Sequence, residues 1–247
     1  MKQLGLIGYK LGHSFSKQYF EEKFKKENIE GYRYDVFPME SLEHFRDWIS
    51  GNKNVVGLSV TIPHKINIIQ YLDELDEEAE AIGAVNTIKI TNKEGKAFLK
   101  GYNTDVYGFS ESLKKHLLPR HHSALILGTG GASKACGYEL NKLGISYQKV
   151  SRNKTDGVLA YNDLNEEIIK SHTVIVNTTP LGMFPDIESC PDIPYSGITL
   201  NHLIFDLIYN PPETLFMRKA ADQGAFVLNG LEMLHMQAEK AWEIWSK

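Results

Sequence analysis

The chain has 247 residues, with 27 basic and 31 acidic side chains and a net charge of −4. These charges are scattered, which leaves no basic footprint for nucleic acid. Hydrophobic residues make up 42% of the chain, enough to bury the core of one large domain or two smaller ones. The two cysteines, Cys136 and Cys190, stand far apart in no ligand-like spacing. That argues against a disulfide framework or a metal site and for a reducing, cytoplasmic location. The apolar run at residues 4–7 is too short for a signal peptide, and no segment approaches the ~20 apolar residues of a membrane span. The protein is therefore expected to begin at Met1 and to have no membrane partner.

Apolar and amphipathic runs alternate from the start. Residues 4–7 read as a strand, 15–26 as a helix, 32–37 as a strand and 42–49 as a helix, a βαβα beginning. The loop Gly12-His13-Ser14-Phe15-Ser16 sets two hydroxyls at a helix start. This suits a carboxylate ligand, and it equally suits helix capping by Ser14 or Ser16.

Residues 55–62 form the next expected strand. Val60, Thr61 and Ile62 favour extended backbone and Pro63 cannot continue the ladder, so Lys65 stands just past the strand's carboxyl end. In open α/β sheets ligands bind at that edge. A helix over 66–72, a short helix over 74–82 and paired strands over 86–90 and 97–99 follow. The turn Asn92-Lys93-Glu94-Gly95 closes the pair. Gly83-Ala84-Val85-Asn86-Thr87 and Gly101-Tyr102-Asn103-Thr104-Asp105 add an amide and a carboxylate. Asn103 or Asp105 is also fit to cap the helix expected over 103–115.

A polar break at 118–122, with His121 and His122 expected to be solvated, precedes a hydrophobic strand over 124–127. The alternation then restarts with a helix over 133–143, a strand over 147–150, a helix over 164–170 and strands over 174–176 and 203–207. This pattern predicts a parallel, doubly wound sheet. The turn Gly128-Thr129-Gly130-Gly131-Ala132-Ser133 lies between strand and helix, where backbone N–H groups meet a pyrophosphate. Its glycines also serve a tight turn needing positive φ. Past the next strand, Arg152 and Lys154 occupy the place of the acid that an NAD enzyme offers to the ribose. A guanidinium there pairs with a 2′-phosphate, which favours NADP(H); surface charges would also account for both residues.

Asn177-Thr178-Thr179-Pro180-Leu181-Gly182-Met183 and Asp206-Leu207-Ile208-Tyr209-Asn210-Pro211 follow strands, at the edge that would hold a nicotinamide. Either is also compatible with an ordinary turn. The final stretch carries Leu231, Leu234, Ala238, Ala241, Trp242 and Trp245 at helical spacing, a helix long enough to pack back across the first domain. Trp242 and Trp245 are expected to be packing residues and Cys136 a buried apolar one.

Taken in order, these motifs, with Asn229-Gly230-Leu231 and Gln237, resemble the shikimate dehydrogenases of aromatic amino-acid biosynthesis. The resemblance covers nearly the whole chain. It implies an NADPH-dependent, reversible reduction of 3-dehydroshikimate to shikimate by a two-domain α/β protein. Residues 1–102 and 230–247 would form the substrate domain and 103–229 a Rossmann-like, doubly wound NADP-binding domain, with the C-terminal helix packing back on the first. It further implies that Ser14 and Ser16 bind the substrate carboxylate and that Thr61, Asn86, Asp105 and Gln237 bind ring hydroxyls. Lys65 and Asp105 would form the catalytic pair, Tyr209 would lie against the substrate, and Leu207 and Gly230 near the nicotinamide. Gly128 to Ser133, Arg152, Lys154, Thr178 and Thr179 complete the implied cofactor site.

Three positions depart from the family pattern. Ser59 stands where an asparagine is usual, with a side chain too short to span the same distance, so it bears on substrate affinity and hydroxyl selectivity. Lys17 and Tyr19-Phe20 replace a proline and a His-Asn pair, and Ser151-Arg152-Asn153 replaces Asn-Arg-Thr. Ser59 leaves room for a quinate/shikimate dehydrogenase with relaxed substrate or NAD use; a catalytically silent ligand-binding relative is the alternative of another class. A monomer and a homodimer are both compatible with the sequence.

Overall fold

The computed structural model describes residues 1–9, 11 and 15–247. The chain divides into two compact units, Met1–Thr104 with Ala238–Lys247, and Asp105–Gln237.

The first unit contains β1 (Lys2–Gly8), α1 (Phe15–Lys26), β2 (Tyr32–Pro38), α2 (Phe45–Gly51), β3 (Val55–Val60), β4 (Glu74–Leu75), α3 (Glu77–Ile82), β5 (Thr87–Lys93) and β6 (Lys96–Tyr102). Its sheet runs β2-β1-β3-β5-β6-β4. The first three strands are parallel, and β5 turns the sheet antiparallel against β3 and β6. A two-residue hairpin joins β5 to β6, with Glu94 at φ 54° and Gly95 at φ 83°, the left-handed pair such a turn needs.

Two expectations are corrected here. Residues 66–72 form not an α-helix but a 3₁₀ segment, Asn67–Tyr71. The expected helix over 74–82 begins with a strand, because Glu74 and Leu75 pair with Lys100 and Gly101 of β6. Asp76 then caps α3 by accepting from Ala79 N at 2.9 Å, which fixes where the helix starts.

The second unit contains α4 (Asp105–Lys114), β7 (Ser123–Leu127), α5 (Gly131–Lys142), β8 (Ser146–Ser151), β9 (Val158–Ala160), α6 (Glu166–Ser171), β10 (Val174–Asn177), β11 (Leu203–Asp206), α7 (Leu215–Ala221) and β12 (Phe226–Leu228). Its six strands are all parallel, in the order β12-β11-β10-β7-β8-β9. Numbered from β7, this is the 3-2-1-4-5-6 order of a doubly wound dinucleotide-binding sheet, with its switch point between β7 and β10. The strands β9 and β12 and the helix α7 were not expected from the sequence. His121 is corrected as well: it is buried, accepting from Leu118 N at 3.1 Å and lying 3.2 Å from the Asn201 carbonyl.

The last helix, α8 (Leu231–Ser246), crosses the division after Gln237. Its second half supplies Ala238, Ala241 and Trp245 to a core with Leu4, Leu6, Phe20, Phe24 and Tyr34, so the C-terminal helix packs back on the first unit. A Cβ on Gly57 would fall 2.4 Å from the Trp245 ring. Glycine there lets the indole lie on β3 and donate from Nε1 to the Ile88 carbonyl at 3.0 Å.

Candidate active site

In the first unit the candidate groups gather at the carboxyl ends of β1 and β3. Val60 ends the regular strand, its N–H donating to the Asn86 carbonyl at 2.7 Å, and Thr61 N donates to Ile7 O at 2.9 Å. Pro63 then forces a turn. His64 is buried in it, with Nε2 donating to the Met39 carbonyl at 2.7 Å. Lys65 follows, half-buried, its carbonyl accepting from Val85 N at 2.7 Å. The backbone around the amine is thus held from two sides, by β2's end and by the segment leading into β5.

Asn86 is buried and tied to Thr104. Its Oδ1 accepts from Thr104 N at 2.7 Å and its Nδ2 donates to Thr104 Oγ1 at 3.0 Å. Thr87 Oγ1 donates to Asn86 Oδ1 as well, at 3.1 Å. Asn103 Nδ2 donates to the Ala84 carbonyl at 2.9 Å. Asp105, also buried, opens α4 in the second unit.

Ser59 is paired with a residue that sequence reading missed. The buried Tyr34 phenol donates to Ser59 Oγ at 2.9 Å and is hydrogen-bonded to Ser16 as well. Burial, the largest cause, drives the phenol's pKa far up, so Tyr34 stays neutral. Ser14 lies outside the described residues.

In the second unit the glycine turn sits at the switch point. Gly128 has φ +116°, and a Cβ on it would fall 2.4 Å from Thr178 Oγ1, so only glycine fits. Ser133 is buried and donates back to the Gly128 carbonyl at 2.8 Å; its hydroxyl stabilises the turn. Thr129 and Gly130 are exposed, Gly131 and Ala132 partly so. Gly130 caps α5 at φ −76°, which needs no glycine, yet a Cβ there would meet nothing within 4 Å. Gly130 immediately precedes the first-turn N–H groups of α5, which lack intrahelical partners, the kind of helix start at which a pyrophosphate binds. Past β8, Arg152 is exposed, and Lys154 pairs with Asp163 at 3.2 Å.

The loop after β10 is folded on Asn177, whose Oδ1 accepts from Thr179 N at 3.0 Å and Oγ1 at 2.7 Å. Thr178 Oγ1 donates to the Leu127 carbonyl at 2.7 Å. Leu207 N donates to Asn177 O at 3.0 Å. Gly230 packs so closely on Leu207 that a Cβ would lie 2.1 Å from its carbonyl oxygen. Tyr209 is half-buried, its phenol pKa raised by burial, and Gln237 Nε2 donates to Leu234 O at 2.8 Å within α8. Among the described residues no cluster of three or more His, Cys, Asp or Glu is placed to hold a metal, and no helix is long and apolar enough to cross a membrane.

Residues 6–88 match the family model of the shikimate dehydrogenase substrate binding domain. The chain is 40% identical over 262 aligned positions to a shikimate dehydrogenase (NADP(+)) of Methanococcus maripaludis, covering 99% of this chain and 92% of that one. A second such enzyme, from Caldicellulosiruptor saccharolyticus, is 36% identical with 99% and 92% covered. Among solved structures, shikimate 5-dehydrogenase of Thermus thermophilus in complex with NADP(H) and shikimate superposes with a TM-score of 0.85 at 29% identity, covering 100% and 94%. Quinate dehydrogenase of Corynebacterium glutamicum in complex with NAD has the same TM-score at 25% identity, with 99% and 93% covered. The chain belongs to the shikimate dehydrogenase family.

Proposed function

We propose that this protein is an NADP-dependent oxidoreductase that reversibly reduces 3-dehydroshikimate to shikimate, a step of aromatic amino-acid biosynthesis. The observation that carries the reading is the near full-length identity of about 40% to relatives named shikimate dehydrogenase (NADP(+)). The quinate dehydrogenase complexed with NAD stands lower, at 25%, which favours shikimate over quinate chemistry and NADP over NAD. The first unit binds the substrate and the second the cofactor.

When bound, the nicotinamide would supply a hydride to the substrate carbonyl carbon. Lys65 handles the oxygen: it donates a proton as the carbonyl becomes an alkoxide, or holds a positive charge beside it. Asp105 is its partner in the catalytic pair. Ser14 and Ser16 receive the substrate carboxylate, while Ser59, Thr61, Asn86, Asp105 and Gln237 hold ring hydroxyls and Tyr209 lies against the ring. The α5 N-terminus and the Gly128–Ser133 turn receive the pyrophosphate, and Arg152 with Lys154 the 2′-phosphate. Thr178, Thr179, Leu207 and Gly230 would hold the nicotinamide.

The test is NADPH oxidation with 3-dehydroshikimate and with 3-dehydroquinate, repeated with NADH. Turnover confined to NADPH and 3-dehydroshikimate is expected. Preference for 3-dehydroquinate or NADH, or ligand binding without turnover, would overturn the reading. With Arg152→Ala, the NADPH-over-NADH ratio of kcat/KM should fall at least about tenfold, the worth of one charge-assisted pair.

A further inference from the structure

In the parallel ladder of β10 and β11 Asn177 lies directly opposite Asp206, and each is the last residue of its strand. Both are completely buried. Asn177 Nδ2 donates to Asp206 Oδ1 at 3.0 Å, and Ile208 N donates to the same oxygen at 3.1 Å. Thr214 Oγ1 donates to Oδ2 at 2.6 Å while accepting from Met217 N at 3.2 Å, so it caps α7 and holds Asp206 at once. On the other side Asn177 Oδ1 gathers the N–H and hydroxyl of Thr179.

Each of the two loops is therefore folded back on the side chain that ends its own strand, and these two side chains are bonded to each other. Among the described residues, the three donors to the Asp206 carboxylate are neutral and none is a cation. Burial pushes its pKa up to about 6 from 3.8 against the lowering effect of those hydrogen bonds, and its charge adds to the burial that raises the Tyr195 phenol. A buried carboxylate without a cation works against stability, and such breaches of local consistency concentrate where function demands them.

We propose that the Asn177–Asp206 pair is a positioning device for the cofactor: it locks the 177–183 loop and the 206–214 turn into one arrangement, so that Thr178, Thr179 and Leu207 meet the nicotinamide together. This rests on the cofactor placement proposed above. Leu207 is fixed by its own N–H, which donates to Asn177 O at 3.0 Å, and through its neighbour Ile208, whose carbonyl accepts from Gly230 N at 2.9 Å. A shift of Asp206 would therefore move the backbone against which Gly230 packs.

The experiment is Asn177→Asp, which is nearly isosteric and keeps the acceptor for Thr179. It replaces the donor facing Asp206 with a second carboxylate oxygen. Two carboxylates in one site repel unless they share a proton, and one proton rebuilds the bond. NADPH affinity is read from nicotinamide fluorescence without 3-dehydroshikimate. At pH 8 the variant's Kd should rise at least about tenfold, returning to within about threefold of wild type near pH 6. The KM for 3-dehydroshikimate should stay within about twofold, since a loss of folded enzyme would lower kcat and would not raise the NADPH Kd while leaving this KM unchanged. An unchanged Kd, or an equal loss at both pH values, overturns the proposal.

If that variant does not fold, the same bond is read from the other side. Asp206→Asn keeps an oxygen for Asn177 and Ile208 and should bind NADPH within about threefold of wild type, whereas Asp206→Ser is too short to accept from Asn177 and should lose about tenfold. Equal affinities overturn the proposal. Failure of the wild type to oxidise NADPH with 3-dehydroshikimate would refute the reaction instead, and the NADPH titration without substrate is judged apart from it.

Discussion

The phenol of Tyr34, on β2, reaches across β1 to donate to Ser59 Oγ on β3 at 2.9 Å. It also shares a hydrogen bond with Ser16, so two proposed substrate contacts from different elements meet on one buried hydroxyl. The ring has no freedom to move, stacked on Phe20 at 4.7 Å and flanked by Trp245 at 6.3 Å.

Tyr34→Phe keeps the ring and removes the shared partner, which should cost about 1–2 kcal/mol, the range for a buried hydrogen bond. We expect the KM for 3-dehydroshikimate to rise several-fold while the KM for NADPH is unchanged. Restoring the family's usual residue with Ser59→Asn adds bulk beside a fixed ring and should cost about 1–3 kcal/mol. Combined with Tyr34→Phe that cost should shrink, because the space claimed by the carboxamide is partly vacated. Denaturant unfolding of the single and double variants measures the coupling. Strict additivity would show that Asn at 59 and the Tyr34 hydroxyl do not compete.

Lys65→Ala separates chemistry from folding. The carbonyl of Lys65 accepts from Val85 N, and neighbouring His64 is bonded to Met39 O, so the turn is held without the amine. Loss of the half-buried side chain should cost no more than about 1 kcal/mol, the centre of the range for point substitutions. Turnover should fall by about 10²–10⁴, the usual contribution of a positioned proton donor. Steady-state kinetics decide it: near wild-type kcat removes Lys65 from the reaction, while a fall in kcat at constant KM assigns it to the transition state.

The buried Asp206 carboxyl, raised to about 6 from 3.8, has a stability consequence opposite to that of salt-bridged carboxylates. Between those two pH values the folded chain keeps a proton that the unfolded chain has released. Its contribution is therefore full below pH 4 and lost as pH rises through 6, by about 1.4 kcal/mol for each pH unit between the two values, or about 3 kcal/mol in all. Asp206→Asn does not titrate. The difference in unfolding free energy between wild type and Asp206→Asn should move toward the variant by that amount from pH 4 to pH 7, since other carboxylates cancel in the difference. A constant difference across this range would contradict the raised value.

How much of this was legible in the sequence follows from the range of the interactions. The strand at 124–127 and the parallel order behind it could be read because apolar runs and helical stripes are local signals, and the Gly128 turn because its φ of +116° excludes other residues. The three-residue strand β12 and the seven-residue helix α7 are too short to show a period. Glu74 and Leu75 read as helix because their strand character comes only from β6, 26 residues away along the chain. In the site, Lys65 was marked by the proline before it. Tyr34, Thr104 and the Asn177–Asp206 bond were not marked, since each acts through a partner 18 to 29 residues distant. His121 read as solvated for the same reason, its partner Asn201 being 80 positions on.

Two glycines of one turn should respond differently to alanine, and the contrast tests the cofactor cradle. At Gly128 a Cβ meets Thr178 Oγ1 at 2.4 Å on a backbone of positive φ, so Gly128→Ala must distort the turn, at a cost of about 1–3 kcal/mol. At Gly130 the backbone is ordinary and the space empty, so Gly130→Ala should cost no more than about 1 kcal/mol, the loss of a tolerated N-cap. Its methyl would nevertheless stand at the N-cap, beside the first N–H groups of α5. If a pyrophosphate lies there, Gly130→Ala weakens NADPH binding at least about tenfold while melting almost as the wild type does, because backbone approach to the phosphates is blocked. Fluorescence titration with NADPH and a thermal melt on the same sample give both quantities. Unchanged affinity in a well-folded Gly130→Ala would move the pyrophosphate away from the α5 N-terminus.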